Sequence, residues 1–368
     1  MAKKKIKYYR LYNILKKLAA YNIIYGKRSN GKTFAALEHG IKRFFQEGYK
    51  MAYIRRWSDD FKGKRGQKLF AGVVEQGIVE KWSNGLWTDV YYWGGQWYFC
   101  RWQTDDQGHR ERIKDELPFC YGFSLNAMEH DKGANYPGTK TIILDEFMTR
   151  GLYLDDEFVI FMNVLSTIIR NDPENVQIFM LANSVNKYCP YFAEMGINIK
   201  DQRPGTIDLY KYGESKLTVA VEYVEPMEGS SKDGNYLFAF DNPKLKMISH
   251  GDWEIDIYPH LPERYKHSEV IFEYFIRFDG ELLHAEIVSK PGKVFTYIHT
   301  KTSDIKDPDH DVVFQQEADP RPNYYTRLDR PVDLVSEKIL KFYKKDKVFF
   351  QNNEVGEILN NYMKWCRT

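Results

Sequence analysis

The segment from Gly26 to Thr33 constrains the fold of this chain most strongly, because it fits the pattern GxxxxGK[ST] in full. A strand-like run, Tyr21–Tyr25, ends at its first glycine, and a helical pattern begins near Lys32. Strand, glycine-rich loop and helix in this order form the phosphate-binding loop of P-loop proteins, whose backbone closes around phosphates. The residues predicted to line a nucleotide phosphate site are Gly26, Lys27, Arg28, Ser29, Asn30, Gly31, Lys32 and Thr33.

A pair of acids supplies the second half of such a site. The apolar run from Thr141 to Leu144 is followed directly by Asp145 and Glu146. We expect Lys32 to reach the β- and γ-phosphates, and Thr33 and Asp145 to hold Mg²⁺, the carboxylate through water. Glu146 can polarise an attacking water, which is the work of a hydrolase rather than a kinase. These residues therefore predict ATP hydrolysis with Mg²⁺ as the metal.

Two polar residues at the ends of later segments each have two interpretations. Asn183 follows a strand-like run, and it is either a sensor of the γ-phosphate or an ordinary strand-end residue. Arg170 ends a helix-like segment, where a cation is normal because of the helix dipole. Arg170 is otherwise an arginine finger offered to a neighbouring subunit. Sequence spacing does not choose between these roles.

The densest basic cluster starts at Arg55-Arg56-Trp57 and runs to Lys68, with glycines between the charges. A basic loop beyond a predicted strand can follow a phosphodiester backbone, and the alternative is a solvated surface loop. The residues predicted to contact DNA are Arg56, Lys62, Lys64, Arg65 and Lys68.

Composition excludes several classes of protein. No run approaches about 18 consecutive apolar residues, so we expect no membrane span. The basic N-terminus is not followed by an apolar run with a cleavage site, so we do not expect secretion. The four cysteines show no CxxC spacing, which argues against a disulfide framework or a zinc module and fits a reducing cytoplasm. The net charge of +2 neither requires nor excludes nucleic acid as a partner.

The pattern of elements predicts two domains. Strands alternate with helices up to about residue 225, which favours a mainly parallel α/β sheet. Turn-forming residues follow, and strands restart as a hairpin around Asp279-Gly280 before a helical C-terminus. We therefore predict a P-loop ATPase domain over 1–225, a linker or lid over 226–265 and a smaller α+β domain over 266–368.

The motifs of the N-terminal half resemble those of the genome-packaging ATPases of small tailed phages of the picovirus (Picovirinae) type, which are terminase-like motors. The resemblance rests on the P-loop, the Tyr-Ile-Arg-Arg strand end, the Thr-Ile-Ile-Leu-Asp-Glu-Phe segment and several later motifs. It is dense over residues 20–192 and thin after about residue 225. The later motifs are Asn135-Tyr136-Pro137, Thr167-Ile168-Ile169-Arg170-Asn171, Leu181-Ala182-Asn183-Ser184, Asn186 and Pro190-Tyr191-Phe192.

This resemblance implies a fold of the additional-strand, catalytic-glutamate (ASCE) type in a homo-oligomeric ring, a pentamer in the family. Such a ring pumps double-stranded DNA through the portal of an empty procapsid in the host cytoplasm. Arg170 matches the family's trans-acting arginine finger, and Lys132 matches a second basic residue acting across the subunit boundary. The family has a further basic position where this chain has Ser58, and the nearest lysine is Lys62.

The resemblance also implies a degenerate RNase H-like C-terminal domain, which docks on the portal, the capsid or a packaging RNA without cutting DNA. An active nuclease requires clustered carboxylates that hold two metal ions. Asp279, Glu281 and Glu286 do not clearly form such a cluster. Three alternatives remain: a packaging terminase that also cuts DNA, a P-loop enzyme acting on a small molecule, and an adaptor whose nucleotide only switches its conformation.

Overall fold

The computed structural model divides the chain into two compact units, Met1–Trp253 and Glu254–Thr368. The predicted linker, residues 226–265, lies mostly outside the residues that the structure describes. The described residues are 8–27, 30–105, 108–127, 135–149, 153–170, 172–183, 189–199, 201–225, 258–261 and 265–367.

The first unit contains a ten-stranded sheet with the order β3-β4-β6-β2-β7-β8-β1-β10-β9, and β5 pairs with β4 outside this path. The six strands from β6 to β10 in that order are parallel, which confirms the predicted mainly parallel sheet. The strands are β1 (Tyr21–Tyr25), β2 (Lys50–Arg55), β3 (Asp89–Trp93), β4 (Gln96–Thr104), β5 (Arg110–Lys114), β6 (Cys120–Ser124), β7 (Thr139–Asp145), β8 (Gln177–Ala182), β9 (Ile207–Tyr212) and β10 (Leu217–Tyr223).

The position of β8 confirms the predicted ASCE architecture. β8 lies between β1, which precedes the P-loop, and β7, which ends in the acidic pair. It is the additional strand after which this class is named. Because all these strands are parallel, the chain segments that follow β1, β7 and β8 meet at one edge of the sheet.

Helices cover both faces of the parallel strands. The helices of the first unit are α1 (Tyr12–Leu15), α2 (Lys32–Glu47), α3 (Lys64–Lys68), α4 (Ala71–Glu75), α5 (Ile78–Trp82), α6 (Glu157–Ile169) and α7 (Pro190–Glu194). All seven residues of β7 are buried, as expected of a strand covered on both faces. Ile143 packs in the same apolar cluster as α2, whereas Ile142 and Leu144 pack in the cluster that contains α6.

The second unit is built on a six-stranded sheet of order β15-β14-β11-β12-β13-β16. Its hairpin turns at Asp279-Gly280, both with positive φ, as the sequence predicted. The relation of this sheet to RNase H-like nucleases stays a prediction. The elements are β11 (Val270–Phe278), β12 (Glu281–Lys290), β13 (Lys293–Thr300), β14 (Val312–Gln315), β15 (Tyr324–Tyr325), β16 (Val348–Phe350), α8 (Leu334–Lys344) and α9 (Asn353–Arg367).

Candidate nucleotide site and its surroundings

The P-loop holds its lysine inside a ring of acceptors. Gly31 takes a left-handed φ of 89° and caps α2, so Lys32 is the first residue of the helix. The Lys32 ammonium donates to the carbonyl oxygens of Gly26 at 3.0 Å and Lys27 at 2.8 Å, and to Oδ1 of Asn30 at 3.1 Å. Only 3% of Lys32 is exposed. The sequence therefore places a buried cation at the start of a helix, where phosphate oxygens are favoured.

The P-loop also contains a buried hydrogen-bond donor, on the Asn30 side chain, that is suited to binding an anion. Within the described residues, Nδ2 of Asn30 is buried and has no hydrogen-bond partner. An unpaired buried amide destabilises the protein unless a ligand or water accepts its hydrogen bond. Arg28 and Ser29, which were predicted to line the loop, lie outside the described residues.

Asp145 ends β7 and faces the P-loop helix. Its Oδ2 accepts from the Thr33 hydroxyl at 3.2 Å and from the Tyr53 hydroxyl at 2.6 Å. Burial, and after it the Asp145 carboxylate, raises the pKa of Tyr53 well above its ordinary value, so this phenol stays a proton donor. A hydroxyl beside a carboxylate is a donor set that fits Mg²⁺. The structure therefore brings together the two residues predicted to hold the metal.

Glu146 is held by Arg55, which the sequence placed only at the start of the basic cluster. Nη2 of Arg55, the last residue of β2, donates to Oε2 of Glu146 at 2.8 Å, and Nη1 lies 3.5 Å from Oδ2 of Asp145. Burial opposes the charge of Arg55, but Tyr53, Asp145 and Glu146 raise its pKa above the ordinary value. Glu146 has a positive φ of 57° and a side chain that is 45% exposed. The carboxylate predicted to polarise water is thus accessible and oriented by a fixed cation.

Arg56 lies buried beside the acidic pair, where its Nη1 donates to the Glu146 carbonyl at 3.3 Å, and this burial disfavours its predicted contact with DNA. Its Nε lies 2.6 Å from Oε2 of Glu157, and its Nη2 donates to Oε1 of Glu157 at 2.8 Å and to the Phe147 carbonyl at 2.8 Å. Arg56 is 7% exposed, and the Glu157 side chain is fully buried. Arg55 ends β2 and faces the site, whereas Arg56 follows the strand and enters the interior.

The remaining basic residues of that cluster are at the surface. Lys62, Lys64, Arg65 and Lys68, here called the α3 basic cluster, are all exposed on α3 and the residue pair before it. Lys62 pairs with Asp59 at 2.6 Å, and both side chains are well solvated. Such an exposed pair adds little stability. The Lys62 ammonium can therefore exchange its contact with Asp59 for a contact with a DNA phosphate.

Asn183 lies at the same edge of the sheet as the acidic pair. It follows Ala182, which pairs with Tyr25 of β1, while Leu181 pairs with Asp145 of β7. The half-buried Asn183 thus follows the strand between the P-loop strand and the acidic strand. This placement is compatible with the predicted contact to the γ-phosphate.

Arg170 lies at the opposite edge of the sheet. It lines a cavity of about 280 Å³ with Gly138 and Thr139, which stand at the start of β7, and with Asn135-Tyr136-Pro137. Asp145 ends the same strand of seven residues, so the two ends are about 20 Å apart. Arg170 is exposed and cannot reach the phosphate site of its own chain. Lys132 lies outside the described residues.

The three acids considered for a nuclease site do not share one pocket. Asp279 lies in the β11–β12 turn, and Glu281 and Glu286 are five residues apart on β12, or about 17 Å.

Among the described residues, no helix combines the length and apolar character needed to cross a membrane.

Comparison with known proteins finds relatives of this sequence among phage DNA packaging proteins. A DNA packaging protein of Bacillus phage B103 is 26% identical over 186 residues, and one of Bacillus phage phi29 is 25% identical over 174 residues. Those alignments cover 48% and 46% of this chain, and 48% and 45% of the relatives. The chain therefore spans about half the length of the curated relatives it matches.

Solved structures support the fold over nearly the whole chain. A chain of the bacteriophage Phi-29 viral genome packaging motor assembly superposes with a TM-score of 0.55 at 18% identity, covering 97% of this chain and 99% of that one. The Phi-28 gp11 DNA packaging motor gives a TM-score of 0.53 at 16% identity, covering 99% of both chains. The sequence model of the podovirus DNA encapsidation protein (Gp16) family matches residues 98–360, which is most of this chain. The chain belongs to the podovirus DNA encapsidation protein (Gp16) family.

Proposed function

We propose that this chain is the ATP-hydrolysing subunit of a ring that moves viral double-stranded DNA into an empty procapsid. The observation that carries the proposal is the meeting of Lys32, Thr33, Asp145 and Glu146 at one edge of an ASCE sheet. The family of the chain and the names of its relatives, which are DNA packaging proteins, supply the coupling to DNA.

Within a subunit, each residue of the site has a separate task. Lys32 supplies positive charge to the β- and γ-phosphates, and the P-loop amides surround them. Thr33 and Asp145 would hold Mg²⁺, which neutralises charge on the phosphate oxygens when it is bound. Glu146 orients the attacking water and accepts its proton. Arg55 is a positioning residue, because its Nη2 holds the Glu146 carboxylate at 2.8 Å.

The position of Arg170 supports the proposed ring. Arg170 lies near the start of β7, and Asp145 ends that strand about 20 Å away, so an arginine finger at this position would complete the site of another subunit. A head-to-tail contact of this kind generates a closed ring when its rotation closes. We propose that Arg170, with Lys132, enters the phosphate site of the adjacent subunit. A ring of five is the number that the family resemblance implies.

The second unit is proposed as the part that docks the ring on the portal or on a packaging RNA. Cutting of DNA is not part of the proposal, because Asp279, Glu281 and Glu286 are spread along the hairpin rather than gathered around one point.

ATP hydrolysis by the purified chain, measured with and without double-stranded DNA, tests the proposal. DNA is expected to increase turnover, and to do so for duplexes of unrelated sequence, because phosphate contacts carry no sequence information. Turnover that is indifferent to DNA would favour a P-loop enzyme acting on a small molecule.

Neutralising the α3 basic cluster is expected to weaken DNA binding and flatten its salt dependence. Each phosphate contact that is lost removes about 0.9 from the slope of log affinity against log salt concentration. Changing Lys62, Lys64, Arg65 and Lys68 to alanine should therefore lower the slope by about 3 to 4 if all four contact phosphates. Fluorescence anisotropy with a labelled duplex over a salt series measures it.

A control variant removes the same charge elsewhere in the first unit. Arg203, Lys211, Lys216 and Lys17 are exposed residues, and their change to alanine should leave the slope unchanged. Equal effects of the two variants would mean that only net charge matters, and the α3 basic cluster would not be the DNA contact.

Arg55→Ala is expected to reduce kcat about ten- to a hundredfold while KM for ATP changes little, since a misplaced general base loses part of its usual contribution. Arg55→Lys keeps the charge but lacks the fork that reaches both Asp145 and Glu146, so it should recover part of kcat. Steady-state kinetics separate the two constants. A raised KM with unchanged kcat would assign Arg55 to nucleotide binding instead.

A further inference from the structure

Four ionisable side chains meet on one face of the second unit's sheet. They come from three neighbouring strands: Glu273 from β11, His284 and Glu286 from β12, and His299 from β13. Glu273 stands opposite Glu286, and His284 stands opposite His299, in the antiparallel register. Residues directly opposite each other share a face, as do residues two apart on one strand. The backbone therefore places these four side chains in one patch.

Three of them present ligand atoms at short mutual distances. Nε2 of His299 lies 3.5 Å from Oε2 of Glu286. One ligand atom each of His284, Glu286 and His299 lies within 4.8 Å of the other two. Ligands about 2.1 Å from a tetrahedral zinc ion are about 3.4 Å apart, so small side-chain rotations bring all three to bonding distance.

The hydrogen-bond partners of His284, Glu286 and His299 are of the kind found around metal ligands. Nδ1 of His299 lies 3.1 Å from the backbone oxygen of Thr300, and donation to it leaves the lone pair on Nε2. Nε2 of His284 lies 2.9 Å from Oε2 of Glu273, and donation to that carboxylate leaves the lone pair of this ring on Nδ1. The Tyr265 hydroxyl donates to Glu286. Metal-binding imidazoles typically donate their second N–H to a carboxylate or a backbone carbonyl.

The patch is accessible to an ion. The opposite face of the same sheet packs on α8 and α9, as shown by the 2.7 Å contact between the hydroxyls of Tyr274 and Tyr343 and by the packing of Phe278 on Tyr362. The cluster's own face leaves the His299 side chain 27% exposed. A route from solvent to the ligands is therefore present, as a metal site requires.

We propose that His284, Glu286 and His299 bind one divalent transition-metal ion of the zinc class, with Glu273 and Tyr265 as the groups that orient the ligands. Two imidazoles and one carboxylate form a donor set typical of Zn²⁺, whereas Mg²⁺ is bound by oxygen ligands. Three protein ligands leave one coordination position for water or another donor. These ligands belong to the second unit and the P-loop to the first, and the proposed metal binding does not depend on ATP hydrolysis.

Titration of the chelator-stripped full-length protein with Co²⁺ and Zn²⁺ tests the proposal. One equivalent of Co²⁺ should give the visible absorption of a tetrahedral ion without a thiolate charge-transfer band, because the four cysteines are buried elsewhere. Zn²⁺ should displace Co²⁺ and raise the unfolding temperature of the wild-type protein, since a ligand that binds only the folded state stabilises it.

Variants locate the ion. His299→Ala and Glu286→Gln should weaken Co²⁺ affinity by about a hundredfold or more, and Glu273→Gln by about ten- to a hundredfold. His109→Ala is the matched control, because His109 is exposed and paired with Asp105 in the first unit, and it should bind as the wild type does. Wild-type protein that binds no tetrahedral Co²⁺, or binding that His299→Ala and Glu286→Gln leave unchanged, would reduce the cluster to a set of hydrogen bonds.

Discussion

An equal mixture of the Glu146→Gln and Arg170→Ala variants is expected to hydrolyse ATP, although each variant alone is nearly inactive. Loss of a general base lowers the rate by about 10²–10⁴, and loss of an arginine finger by about 10³–10⁵. In the mixture, some Arg170→Ala subunits keep Glu146 and stand beside a Glu146→Gln subunit that keeps Arg170. Random assembly makes about one site in four of this intact kind. Steady-state hydrolysis with double-stranded DNA measures the recovery.

The reason for this expectation is the separation of the two residues along β7. Glu146 follows the last residue of the strand, whereas Arg170 lines a cavity with Gly138 and Thr139 at its start. A strand of seven residues is too long for an arginine side chain to bridge. If Arg170 acts in catalysis at all, it acts on another subunit, and only then do the two defects complement each other.

A second mixture separates complementation from other causes of recovery. Lys32 and Glu146 belong to the site of one subunit, so Lys32→Ala mixed with Glu146→Gln restores no site in any arrangement. That mixture should stay inactive. Recovery in both mixtures would indicate exchange or refolding artefacts, and near-normal activity of Arg170→Ala alone would contradict the shared site. Inactivity of the first mixture would mean that the two residues do not meet across an interface.

Local patterns in the sequence were sufficient for the P-loop and the acidic pair. GxxxxGK[ST] and an apolar run ending in Asp145 and Glu146 are contiguous, and their chemistry depends on neighbours along the chain. Their meeting at one edge follows from parallel strands, which the alternation of strands and helices indicated. The hairpin at Asp279-Gly280 was predictable for the same reason, because two adjacent residues with positive φ define the turn.

The roles of Arg55 and Arg56 were not predictable from local pattern. Arg55 meets Glu146 across 91 positions of sequence, and Arg56 meets Glu157 across 101 positions. The Arg55 contact requires that β2 neighbours β7, and the Arg56 contact also requires that α6 packs over these strands; neither can be read from spacing along the chain. A run of basic residues looked like one surface. In the structure Arg55 faces the site, Arg56 lies in the core, and the later basic residues lie on or beside the solvated helix α3.

The cluster of His284, Glu286 and His299 was not predictable either, because it forms only when β12 pairs with β13.

Arg56→Met is expected to lower the free energy of unfolding of the first unit by about 3–5 kcal/mol, because it leaves a buried carboxylate without its partner. Glu157 is fully buried, and within the described part of the chain it would keep the Tyr191 hydroxyl and the Leu154 amide as its remaining donors. Urea unfolding followed by tryptophan fluorescence measures the change. Most of the tryptophans, including the buried Trp97, lie in the first unit.

Two further variants separate the effect of breaking the buried Arg56–Glu157 pair on stability from the general effect of removing an arginine. Arg203→Met removes an exposed arginine of the same unit and should change stability by less than about 0.5 kcal/mol. The double variant Arg56→Met with Glu157→Leu removes both charges and should regain a large part of the loss, since well-packed apolar residues often replace a buried ion pair at little net cost. If Arg56 instead gripped DNA, Arg56→Met would unfold at the same urea concentration as Arg203→Met and would bind DNA more weakly. The two outcomes are opposite in both measurements, so this one position decides whether the second arginine of the pair serves the core or the DNA.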